Sequence, residues 1–91
     1  MNAEQRKEEI RSRLESGFHP EMLIVEDESH LHAGHEGAKD GRGHFRVHVV
    51  SEAFNGMRTI ARHRAIYETM GSLMETDIHA LSIEVYSSDE L

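Results

Sequence analysis

The chain has no cysteine and no tryptophan, a single proline, and only three phenylalanines and two tyrosines among 91 residues. Without cysteine, this chain alone can supply neither a disulfide nor a thiolate metal site. It also lacks any apolar run near the roughly 18 residues that a bilayer-crossing helix needs, and its opening, MNAEQRKEEI, is polar throughout. A cytoplasmic protein with no membrane partner is the expectation. Basic charge is scarce too: ten Lys and Arg stand against seventeen Asp and Glu, for a net charge of −7. General nucleic-acid binders carry the opposite balance. The length fits one domain, 1–91, whose small core buries only about 60–65% of the unfolded surface. No serine elbow and no paired buried carboxylates are evident, so nothing assembles a nucleophile with a base, and the chain is read as a non-enzyme.

Histidine, by contrast, is abundant. The sequence carries eight, three of them within HLHAGH at positions 30–35. The segment around them, 28–43, contains four glycines and almost nothing apolar. A loop of more than about 12 residues inside a small domain is usually functional or disordered.

Periodicity orders the rest. Residues 1–20 read as an N-terminal helix in which Asn2 caps and Gln5 reaches back, with Ile10 and Leu14 on one face. Gly17 is expected to supply the left-handed terminating residue, and Pro20 forbids continuation. The apolar stripe is thin, so this helix should lie on the outside of the fold. MLIV, 22–25, is too short for a helix and reads as a strand. In HFRVHVVS, Phe45, Val47 and Val49 alternate with Arg46 and His48, the pattern of a half-buried strand. From Met57 to about Glu75, apolar residues at 57, 60, 67, 70 and 74 mark a second, longer helix. In IHALSIEVY, His79, Leu81, Ile83 and Val85 share one phase. The order α-β-β-α-β predicts an α+β domain with a three-stranded sheet packed by helices.

A helical crossover makes strands two and three parallel if they are neighbours, whereas strand one should run antiparallel to strand two. The loop and the starts of strands two and three then share one end of the sheet. His30, His32 and His35 lie in that loop, His44 opens strand two, and His79 opens strand three in phase with the apolar face. For one such residue, a buried imidazole satisfied by a backbone carbonyl is the ordinary explanation. With loop histidines arriving at the same place, a metal site is an equal reading.

DES followed by His32, then HFRVHVVS, FNG, RHRAIY and IHALSIEVYS, in this order from about Met22 to Ser87, together resemble the BolA family of small α/β proteins. The HAGH loop is similar to that of several bacterial members. The resemblance implies a fold similar to the class II KH-like domain and a heterodimer with a monothiol glutaredoxin, sharing a two-iron two-sulfur cluster. It implies that the glutaredoxin cysteine and glutathione supply thiolates while this chain supplies His79 and a loop histidine, His32 or His35. His30 and His44 are weaker candidates. Imidazole in place of thiolate raises a cluster's potential and makes its ligation proton-sensitive. A chain without cysteine would hold no cluster alone but could complete a shared one, as a monomer until it meets its partner. Cluster trafficking or iron-linked regulation, including stress response, is the implied role.

MRTIARHRA offers the alternative. Arg58, Arg62, His63 and Arg64 form a basic strip with no acid between Glu52 and Glu68, placed where a helix dipole prefers acids. Such a strip suits phosphate or an acidic partner, and the family has also been read as DNA-binding regulators of transcription. The net charge of −7 and the lack of a Gly-x-x-Gly clamp before the second helix weigh against that role. Pairing of these arginines with the chain's own acids is an equal reading.

Overall fold

The structure, a computed structural model, describes residues 1–32 and 41–91, the side chains of Leu31 and His32 excepted. Helix α1 spans Ala3–Phe18 and opens on the expected capping box. The Gln5 N–H donates to Asn2 Oδ1 at 2.8 Å, and the Asn2 N–H donates to Gln5 Oε1 at 2.9 Å, so two of the orphan donors are satisfied reciprocally. The helix ends differently from expectation. His19, not Gly17, adopts the left-handed conformation, at φ 45° and ψ 56°. Gly17 stays helical and serves another purpose: a Cβ there would lie 3.2 Å from Cγ2 of Thr69, so the glycine permits a close helix crossing.

Three strands follow: β1 (Met22–Asp27), β2 (Gly43–Ser51) and β3 (Ile78–Ser87). They form one sheet in the order β1-β2-β3, with the first pair antiparallel and the second parallel, as the crossover argument requires. The crossover itself is α2 (Thr59–Met70) and the short α3 (Leu73–Thr76). The single helix expected over 57–75 breaks at Gly71, whose φ is +54°. Its buried stripe also differs from the expected one. Ile60 and Tyr67 are exposed, while Arg62, Ile66, Met70 and Leu73 face inward. The stripe therefore runs at steps of four, four and three through an arginine whose aliphatic stem packs like an apolar side chain.

Both long helices cover one face of the sheet. Ile10 and Leu14 of α1, the thin stripe, are fully buried against it with Val47, Val49 and Ile66. Burying each such side chain stabilises the fold by roughly 1.5–3 kcal/mol. On the other face His48 lies between the carboxylates of Glu26 on β1 at 2.8 Å and Glu84 on β3 at 2.6 Å. Among the described residues, no helix is long and apolar enough to cross a membrane.

Candidate functional site

The starts of β2 and β3 meet at one corner of the sheet, and the chain is tightly fixed there. The Gly43 N–H donates to the Asp77 carbonyl at 2.9 Å. A Cβ on Gly43 would stand 2.6 Å from Cε2 of Phe45, so the ring can fold under the strand only where residue 43 has no side chain. Asp77, immediately before β3, is held in turn by Thr76 at 2.6 Å and Arg6 at 3.0 Å. The Thr76 hydroxyl and then the Arg6 guanidinium hold its carboxyl below the ordinary range. The corner is thereby tied to the N-terminal helix.

At this point the two strands fall out of step. Gly43 pairs with Ile78, but His44 pairs with Ala80, so β3 spends one extra residue, His79. A bulge of this kind re-aims a side chain. Ile78 and Leu81 both face the core, whereas His79 is exposed. Alternation predicts His79 on the apolar face with Leu81, and that one inserted residue turns it away from the core instead. His79 is thus turned outward and is not a core histidine.

His44 lies beside it. The two rings are 5.1 Å apart between centroids and tilted by 47°. His44 itself is only 8% exposed. Its N–H donates to Ser29 Oγ at 3.0 Å, and its carbonyl accepts from the Glu28 N–H at 2.8 Å. These bonds bring the short 3-10 turn Ser29–His32 to the corner, with Ser29 also pinned by Asp27 Oδ1 at 2.9 Å. His32 closes that turn on the backbone, and His30 is exposed on it. His35 lies outside the described residues. Of the ligand candidates, the structure brings together His79 and His44, the one ranked lower. A signal for His44 was present: it is out of phase with Phe45, Val47 and Val49, and it begins the strand beside His79. A third group reaches the pair from the segment before β2, where Arg42 Nη2 donates to His79 Nδ1 at 3.1 Å. The donors at this corner are imidazoles, which suit zinc, copper, iron or nickel, and among the described residues no three His, Cys, Asp or Glu side chains group so as to hold a metal ion by themselves.

The basic strip lies at the opposite end of the sheet and is not continuous. Arg62 is 8% exposed; its Nε donates to the Met57 carbonyl at 2.9 Å and its Nη1 to Glu90 at 2.6 Å, just past the end of β3. The Arg62 guanidinium, followed by the Ser87 N–H, brings the Glu90 carboxyl down to about 2. Arg62 is therefore a tie between α2 and the C-terminal turn and drops out of the strip. Arg58 and Arg64 are exposed, without an ion pair among the described residues, and His63 is half-buried. Ile60, 60% exposed, and Tyr67, 41% exposed, lie with Arg64 at helical spacing on one outer stripe.

Comparison with known proteins agrees with this architecture. The family model described as BolA-like protein matches residues 14–90. The chain is 41% identical over 83 residues to the chloroplastic protein BOLA1 of Arabidopsis thaliana, covering 88% of this chain and 52% of that one. It thus spans about half the length of that plant relative. It is 38% identical over 84 residues to the DNA-binding transcriptional regulator BolA of Escherichia coli, covering 92% of this chain and 77% of the other. Among solved structures, the BolA domain of SufE1 from Arabidopsis thaliana superposes with a TM-score of 0.84 at 36% identity, over 100% of this chain and 99% of that domain.

Proposed function

The chain belongs to the BolA-like family, and from that premise we propose that it is a non-catalytic adaptor completing an iron-sulfur site shared with a thiolate-bearing partner. The partner in this reading is a monothiol glutaredoxin with glutathione, and the shared group is a two-iron two-sulfur cluster. One observation carries the proposal: the bulge turns His79 outward, next to His44, on a chain with no cysteine. Bound there, the cluster would supply one-electron chemistry and a transferable iron-sulfur unit.

The roles of this chain's residues follow from their positions. His79 offers a ring nitrogen to the partner's side of the junction. The loop histidine, His32 or His35, offers a second, and His44 fills the space beside His79 and limits how its ring can turn. Gly43, Asp77 and Arg6 hold the bulge in place, so the ligand's backbone is set before a partner arrives. Such preorganisation reduces what ordering costs on association. Mixing the chain with cluster-loaded monothiol glutaredoxin and recording visible circular dichroism tests the proposal, because a changed ligand set changes the spectrum.

A second reading, a DNA-binding regulator, is favoured by the exposed Arg58 and Arg64 and by the names of bacterial relatives. It ranks lower because Arg62 is spent internally and the chain carries a net charge of −7. Electrophoretic shifts at two salt concentrations separate it from the first, since phosphate contacts weaken steeply with salt.

A further inference from the structure

We infer that Arg42 holds His79 in a form that cannot ligate and must withdraw before His79 joins any metal. The inference rests on the proposed ligand role of His79 and adds to it a positioning residue outside the ligand set.

Arg42 Nη2 and His79 Nδ1 are hydrogen-bonded at 3.1 Å. A guanidinium can only donate, so Nδ1 must be the acceptor in this contact. The neutral ring then carries its proton on Nε2. Neither nitrogen is ready for a metal: Nδ1 spends its lone pair on Arg42, and Nε2 has no lone pair to give. Metal-bound histidines show the reverse arrangement, in which one nitrogen binds and the other donates its N–H to a carboxylate or carbonyl. Arg42 presents a donor where ligation through Nε2 requires an acceptor.

The local backbone allows the contact to break without disturbing the corner. Gly43, next in sequence, is bound to the Asp77 carbonyl and stays with the sheet. Gly41, before it, has φ +83° and open space where a Cβ would sit. Arg42 therefore lies between a fixed strand and a backbone position of wide freedom. His79 itself is fixed in the bulge with the His44 ring on one side.

Carbethoxylation with diethyl pyrocarbonate tests this on the chain alone. The unprotonated ring nitrogen attacks the reagent's carbonyl, a nitrogen–carbon bond forms, ethyl carbonate departs, and the other nitrogen loses its proton. His19, exposed at the end of α1, serves as internal reference in peptide mass spectrometry, at a pH where the imidazoles are neutral. His79 of the wild type should react slowly relative to His19, although it is exposed. R42A should speed it by about three- to tenfold, the scale of one lost hydrogen bond of ordinary net strength. R42E should place an acceptor at Nδ1 and shift the ring proton there, read as exchanged shifts of the two ring nitrogens in a long-range proton–nitrogen correlation spectrum. Equal His79 rates in wild type and R42A, or unchanged ring shifts in R42E, would overturn the inference. With cluster-loaded glutaredoxin, R42A should reach the wild-type spectrum faster, and a slower approach would also overturn it. If neither protein takes up a cluster while R42A still unmasks His79, the cluster reading fails and the Arg42–His79 relationship stands.

Discussion

His44 and His79 face each other across the first step of the parallel pair β2 and β3, with ring centroids 5.1 Å apart. They are brought together by an irregularity, since the extra residue that breaks the register is His79 itself. A regular ladder would have put that imidazole inside, beside Leu81. The bulge thus turns a position that regular alternation would place in the core out to the surface, for one extra residue in β3.

Gly43 should be intolerant of substitution. In Gly43→Ala the new Cβ would meet the Phe45 ring at 2.6 Å, and the ring is 2% exposed with little room to retreat. Overpacking of this kind destabilises by about 1–3 kcal/mol. A urea titration checks it. A shift in midpoint with an unchanged slope is expected, whereas wild-type stability would mean that the corner is looser than the structure shows.

Arg62 should behave as a structural residue and its neighbours as surface residues. Arg62→Ala removes a buried stem and the bond to the Met57 carbonyl, which predicts a loss of about 1–3 kcal/mol. Arg58→Ala and Arg64→Ala should each stay within about 0.5 kcal/mol. If thermal unfolding ranks the three alike, the assignment of Arg62 to the fold is wrong.

Acid should weaken the same tie. Glu90 titrates at about 2 in the folded chain, against an ordinary 4.5. A lowered folded value means that its stabilisation is complete above 4.5 and disappears as pH falls through 2. Asp77 is shifted in the same direction. Glu90→Gln should therefore be less stable than wild type near neutral pH, and the gap should close at about pH 2. A gap that widens in acid would reverse the sign of the argument.

For DNA, the double variant Arg58→Ala, Arg64→Ala is the informative one, because it leaves the Arg62 tie intact. Any duplex binding by the wild type should be weak near physiological salt and fall steeply as salt rises. The double variant should lose it. Salt-insensitive, sequence-specific shifts that survive the double substitution would favour a different nucleic-acid surface.

Much of this architecture is legible in residue order. Asn2 with Gln5, the alternation of Phe45, Val47 and Val49, and the helical crossover suffice for the capped helix, the strand and the mixed sheet. Three features are not. The bulge is invisible because Ile78 and Leu81 are apolar at a spacing that regular alternation also tolerates with one residue misassigned. Arg62 counts as polar in a periodicity search although its stem is core. His19 takes the left-handed position because the helix runs on through Gly17 to Phe18, with Gly17 packed closely on Thr69, a tertiary contact that local preference does not contain. In each case packing between distant segments overrides the local pattern.

The loop ligand can be separated by substitution. With cluster-loaded glutaredoxin, His32→Ala and His35→Ala should differ, the true ligand being the more damaging loss. The chain alone, reconstituted anaerobically with iron and sulfide, should yield no stable chromophore, because it brings no thiolate. A persistent chromophore on the single chain would contradict a shared site.

The most direct measurement compares visible circular dichroism of wild type and His79→Ala, each mixed with cluster-loaded monothiol glutaredoxin. His79 is exposed and outside the core, so the variant should keep the far-ultraviolet spectrum of the folded chain. The wild type should convert the glutaredoxin spectrum to a new one that reports imidazole ligation, and His79→Ala should leave the glutaredoxin spectrum as it was. A His79→Ala protein that produces the same new spectrum as the wild type would contradict the central claim that this outward histidine completes the shared site.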